Sequence, residues 1–184
     1  SFIWLFWSCI AGYFLSTLWL DLPFLIYVLT AISAIVQVGV WYYMFKTIVQ
    51  ENKSLFVNLP GYLKYLIVFI SFALSAKFLL QLGSTIPAIS KLAFGFRPIV
   101  IAYLHLVLLT IISGFLLTYL YTNELVHRST KTMLFLIVFI VGVFLNEFLL
   151  ALQGIFSINY VLIPYANVML FMVALILLTG ISGI

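Results

Sequence analysis

Seven residues carry most of the chemistry this sequence offers. Lys77, His105 and Glu147 are ionisable side chains inside long apolar runs. Asn146, Gln153 and Asn167 are amides in such runs, and Arg97 stands at the start of another. Hydrocarbon makes a charged group expensive, so one placed inside a span faces the protein interior and marks a site. At a helical rise of about 1.5 Å per residue, Lys77 lies roughly 8 Å from the outer end of its run. Glu147 comes out at about 9 Å, His105 at about 10 Å and Asn167 at about 12 Å. Four helices therefore put polar groups at one level, in the outer third of a bilayer. Gln153 follows Asn146 by seven residues, nearly on the same helical face, and Gln81 follows Lys77 by one turn. Arg97, His105 and Ser113, eight residues apart, share a stripe. The expected site is a polar, hydrated cavity opening outward, with Arg97 at its mouth and Lys77 and Glu147 as an ion pair. Glu147 and His105 are its reacting groups. Glu147 would carry protons, and His105 would act as a ligand or relay member. Each group also has an ordinary role: Lys77 can snorkel to the interface, and His105 can satisfy itself by a hydrogen bond to a neighbouring helix.

The elements that must position these groups follow from composition. Of 184 residues, 66% are apolar and 7% are charged. Soluble domains are about 45–50% apolar and about 25% charged. A water-soluble enzyme, a nucleic-acid-binding module and a disordered chain are excluded, and the solvent of the outer surface is lipid. Six apolar runs approach the length of about 20 residues that a spanning helix needs. They cover residues 2–20, 24–45, 65–82, 98–121, 132–153 and 159–184. The runs do not alternate with period two, so they are helices rather than barrel strands. The fold class is all-α: one polytopic transmembrane bundle of about six spans over residues 1–184. Asp21-Leu22-Pro23 makes a tight turn, Pro98 opens the fourth helix, and Gly154 closes the fifth. Residues 83–97 mix apolar and polar side chains and read as a segment lying in the membrane interface.

Lys46, Lys53 and Lys64 follow the second run, and Arg128 and Lys131 follow the fourth. Lys91 and Arg97 lie on the other side. This imbalance puts the first side, and both termini, on the cytoplasmic face of an inner membrane. Trp41, Tyr42 and Tyr43 read as an aromatic belt at that face, and Trp19 as one at the other. Ser8, Gly12 and Ser16 recur every fourth residue and form a face for close helix packing. Gln37 reads as an interhelical hydrogen-bonding group, His127 as solvated, and the lone Cys9 as a buried inert thiol. No paired-histidine zinc motif, phosphate-binding glycine loop or serine elbow occurs, and no metal site is expected.

Phe96-Arg97-Pro98-Ile99-Val100-Ile101-Ala102-Tyr103-Leu104-His105-Leu106 and Leu145-Asn146-Glu147-Phe148-Leu149-Leu150-Ala151-Leu152-Gln153-Gly154 carry a resemblance. Over about residues 86–154 the chain resembles the C-terminal half of a poorly characterised family of bacterial polytopic membrane proteins. That family is similar in its other half to the haem–copper oxidase and nitric oxide reductase superfamily. The resemblance implies a respiratory, haem-associated role, with His105 as one cofactor ligand and further ligands outside this chain. This chain has no His-x-His helix. It also lacks an initiator Met and stops inside an apolar run, which reads as a piece of a longer protein. The expected partners are the lipid bilayer and other membrane subunits or a missing N-terminal half.

Three functions compete on these residues. The first is a component of a respiratory haem–copper-like assembly. The second is a proton-coupled transporter or channel for a small polar or anionic solute. The third is a structural or assembly subunit without a site of its own.

Overall fold

A helix satisfies its own backbone where the surroundings offer no partners, and long apolar runs with few interior prolines therefore wind into helices. The computed structural model describes residues 2–13, 23–51, 59–126 and 129–184, and every regular element among them is helical. They form two compact units. One is Ser1–Tyr65 with Ser71–Gly95, and the other is Leu66–Ile70 with Phe96–Ile184.

The first unit holds α1 (Phe2–Gly12), α2 (Phe24–Glu51), most of α3 (Gly61–Gly83) and α4 (Pro87–Gly95). Ser8 and Gly12 turn toward α2, as their spacing predicts. Ser33 Oγ donates to the Ser8 carbonyl at 2.6 Å, and Gln37 Nε2 donates to the same oxygen at 3.1 Å. A Cβ on Gly12 would stand 2.5 Å from Gln37 Nε2, so a larger residue there would displace the Gln37 amide. Gln37 is thus the interhelical group its position suggests. Ser16, Trp19 and the 21–22 part of the predicted turn lie outside the described residues, as do Lys53, His127 and Arg128. Cys9, one residue past Ser8, is exposed rather than buried, because that step carries it off the packed face. Trp41 is also reassigned. Its indole Nε1 donates to Ser75 Oγ at 2.9 Å, and its ring lies 5.9 Å from that of Phe78. It joins α2 to α3 instead of standing in a belt, whereas Tyr42 and Tyr43 are exposed. Residues 83–97, expected as an interfacial segment, include the short helix α4, and Tyr27 Oη donates to the Thr85 carbonyl just before it.

The second unit contains one long helical rod in three parts: α5 (Arg97–His105), a π-wound segment (Leu106–Ser113) and α6 (Gly114–Thr122). Pro98 sits in the first turn as expected. The rod packs against α7 (Thr130–Ile158), and α7 packs against α8 (Ala166–Ser182). Ser129 caps α7, its hydroxyl accepting from the Lys131 N–H at 3.3 Å. Glycines set the helix spacing. A Cβ on Gly142 would stand 2.9 Å from Leu177 Cδ2, and one on Gly180 would stand 2.7 Å from the backbone nitrogen of Phe139. Gly154 does not close α7, which continues to Ile158. It faces Ile99 of α5, where a Cβ would meet Ile99 Cγ1 at 3.3 Å. This glycine serves close approach, not termination.

Among the described residues, four helices are long and apolar enough to cross a membrane: Phe24–Glu51, Gly61–Gly83, Arg97–Thr122 and Thr130–Ile158. Two predicted spans are not among these four. The 2–20 run is described as a helix only to Gly12. The last run is helical from Ala166, not from residue 159, and its 17 residues reach about 25 Å against a hydrocarbon core of about 30 Å. Many large apolar side chains on these helices point outward, including Leu134, Ile137, Val141, Phe144 and Phe148 of α7.

The glycine contacts predict a stability difference. Gly180→Ala forces α8 away from the α7 backbone and should cost about 1–3 kcal/mol of unfolding free energy in detergent. Gly39→Ala, where nothing lies within 4 Å of a new Cβ, should cost nothing. Equal unfolding midpoints for the two variants would contradict this account of the α7–α8 contact.

Candidate functional site

The buried face of α7 is a stripe of Leu136, Phe139, Val143, Asn146 and Leu150. Its spacing of three and four residues is that of one helix face. Asn146 is the one amide in it, and is 7% exposed. Its Nδ2 has no hydrogen-bond partner. Glu147, the next residue, is half-buried and turned by one step around the helix.

Facing Glu147 is Thr110, 2% exposed, in the middle of the π-wound segment. A threonine within a helix ordinarily gives its hydroxyl to the carbonyl one turn back. Thr118 and Thr122 do so, bonding the carbonyls of Gly114 and Thr118. Thr110 instead donates across to Glu147 Oε1, at 3.4 Å. The winding around it is wider than α: Ser113 Oγ reaches the Leu108 carbonyl, five residues back, at 3.1 Å. Single π turns within α-helices recur at functional sites because they re-aim side chains. The re-aimed side chain here is the hydroxyl partner of the intramembrane carboxyl group. Thr110 is absent from the sequence-derived set. Its only signal is a hydroxyl in an otherwise aliphatic stretch, which does not show that the helix will widen there.

His105 ends α5, directly before the π-wound segment. Its Nδ1 lies 2.9 Å from the Ile101 carbonyl. A carbonyl can only accept, so Nδ1 is the donor in this bond and Nε2 takes no part in it. The histidine is therefore satisfied by its own helix and not by a neighbour. The stripe of Arg97, His105 and Ser113 assumed α winding throughout; the wider segment breaks that register after His105.

Lys77 belongs to the first unit, where its Nζ lies 4.4 Å from the centroid of the Phe78 ring. A cation over a ring face is stabilised by the ring quadrupole. Gln81, one turn further along, has a buried Oε1 without a partner. Arg97 is exposed in the first turn of α5, and Gln153 is half-buried on α7. Asn167 is exposed in the first turn of α8. It does not lie about 12 Å inside a helix, because residues 159–165 form a connection rather than helix. The second unit therefore brings together Glu147 and Thr110, with Asn146 beside them. His105 stands five residues before Thr110 on the same rod.

Among the described residues, no three His, Cys, Asp or Glu side chains converge as a metal-ligand set. His105 is the one described histidine of the second unit, and His127 of the same unit lies outside the described residues. Long apolar helices with outward apolar faces, carrying a hydrogen-bonded carboxyl group inward, define a multi-pass membrane protein. No family model, no curated protein and no solved structure matches the chain.

The Thr110–Glu147 contact predicts an energetic coupling. In a double-mutant cycle of Thr110→Val and Glu147→Gln, unfolding in detergent should give an interaction of about 0.5–2 kcal/mol. Thr110→Ser should retain most of it. Strict additivity would mean that the two side chains do not interact.

Proposed function

We propose that this chain is a bacterial inner-membrane protein in which Glu147 binds and releases protons, coupling them to the passage of a small polar or anionic solute. The observation that carries this reading is the hydroxyl of Thr110, which leaves its own helix to bond Glu147. A carboxyl group within a span needs a partner or a proton. A neutral hydroxyl supplies a hydrogen bond without a compensating charge, so the carboxyl group can accept a proton and give it back. Lys77 and Arg97 are the cationic groups that would draw an anionic solute. Asn146 and Gln153 are further hydrogen-bonding groups of the pathway. In this reading the 2–20 run and the helix Ala166–Ser182 also cross the membrane, giving six spans. Both termini are cytoplasmic, on the side richer in Lys and Arg.

A second reading has its own support. The Nδ1 bond to Ile101 leaves His105 Nε2 free, the state in which a histidine binds a metal while its other nitrogen is held by a backbone carbonyl. Together with the sequence resemblance, this supports a subunit of a respiratory haem–copper-like assembly. Further haem ligands would then come from other chains or from a missing N-terminal half. A Soret band in the purified protein that is lost in His105→Ala would favour that role.

The direct test is proton flux. Proteoliposomes holding a trapped pH dye receive a potassium-diffusion potential. The native protein should carry protons down this potential and change the trapped dye's signal. Glu147→Gln should slow this by about tenfold or more, equivalent to at least ~1.4 kcal/mol in the barrier. Unchanged flux in Glu147→Gln removes Glu147 as the proton carrier. Loss of folded protein or of partner retention, with no flux in any variant, would favour an assembly subunit.

A further inference from the structure

The connection between α7 and α8, residues 159–165, is built unlike the rest of the molecule. Tyr160 and Tyr165 have φ of 55° and 60°, in the left-handed region that non-glycine residues seldom occupy. Between them the chain forms no helix, with Leu162 91% exposed, Tyr160 87% and Tyr165 78%. No described group accepts from the N–H of Leu162 or Ile163.

Helix packing shows where this segment lies. Gly180 faces Phe139 and Gly142 faces Leu177, so α8 runs antiparallel to α7. That register puts Ala166 level with about Gln153. The connection therefore leaves α7 at Ile158 and returns by five residues, roughly 7–8 Å, before α8 begins.

Three constraints then apply together. Unpaired backbone amides exclude the hydrocarbon core, because lipid tails offer no acceptor. Three large exposed side chains disfavour bulk water. No charged residue occurs from 148 to 184, so the segment carries nothing to hold it in a water layer by charge. The zone that meets all three is the boundary between headgroups and acyl chains, where tyrosine rings are enriched. We infer that residues 159–165 are a lipid-interface anchor. Leu162 and the ring of Tyr165 insert among the upper acyl chains, the Tyr160 ring packs edge-on against Phe96 at 5.7 Å, and the free amides face phosphates and water. The left-handed turns at both ends lay the segment along the membrane surface. This assignment depends on the membrane reading of α7 and not on any role for Glu147.

Spin labelling of the full chain tests it. In a Cys9→Ser background, single labels are placed at Leu162→Cys, at Lys131→Cys as an exposed polar reference in the first turn of α7 and at Leu134→Cys as an outward apolar reference. The protein is reconstituted in phosphatidylcholine–phosphatidylglycerol vesicles. Collisions with oxygen, which concentrates in lipid, are compared with those of a water-soluble nickel chelate. The ratio at Leu162→Cys should rise severalfold above that at Lys131→Cys and stay below that at Leu134→Cys. A ratio equal to that at Lys131→Cys would make the segment a solvated loop. A label immobilised and shielded from both reagents would make it a protein-docking surface. Either result overturns the anchor.

Discussion

Hydrocarbon gives a polar group no hydrogen-bond partner, so every donor and acceptor within a span must find one in the protein or take the cost. Most hydroxyls here meet that demand locally. Thr30, Ser75, Thr118 and Thr122 return theirs to the carbonyl four residues back. The exceptions locate the tertiary structure. Ser33 and Gln37 converge on the Ser8 carbonyl and hold α1 on α2. Trp41 and Ser75 hold α2 on α3. Thr110 reaches Glu147 and joins the π-wound rod to α7. Where dispersion alone brings helices together, glycine sets the distance, as at Gly142, Gly154 and Gly180.

The same constraint bears on chemistry. A wider turn frees Thr110 from its own helix and turns its hydroxyl onto a carboxyl oxygen. Asn146, one residue away, keeps an unpartnered amide nitrogen in the packed face of α7. A fully satisfied site would be a structural lock. This one has a carboxyl group with one neutral donor and an amide with unused capacity, which is the condition for exchanging protons or holding a polar guest.

Helix locations were legible because apolar length is a local property, and so were Ser8, Gly12 and Gln37, whose types and spacing announce close packing. Errors arose wherever meaning depends on a distant partner. Trp41 reads as a belt residue until Ser75, 34 positions later, is seen to accept its N–H. Gly154 reads as a helix end until Ile99 occupies the space a side chain would fill. Asn167 reads as deep because Tyr160, Val161, Leu162 and Ile163 are as apolar as any helix, although the chain there is not helical. Glu147 was identified from hydropathy alone, but its partner was not. The stretch from Leu106 to Ser113 resembles any aliphatic helix, and nothing in its residue types marks the change of winding.

The claim that Glu147 is a proton-exchanging carboxyl group held by Thr110 is tested most directly by infrared spectroscopy. Difference spectra between acidic and alkaline buffer, on protein in lipid bilayers, report carboxyl groups that gain or lose a proton. The account predicts a protonated-carboxyl band that vanishes in Glu147→Gln and moves to a different frequency in Thr110→Val. Spectra in which native protein and Glu147→Gln show the same carboxyl bands would contradict it.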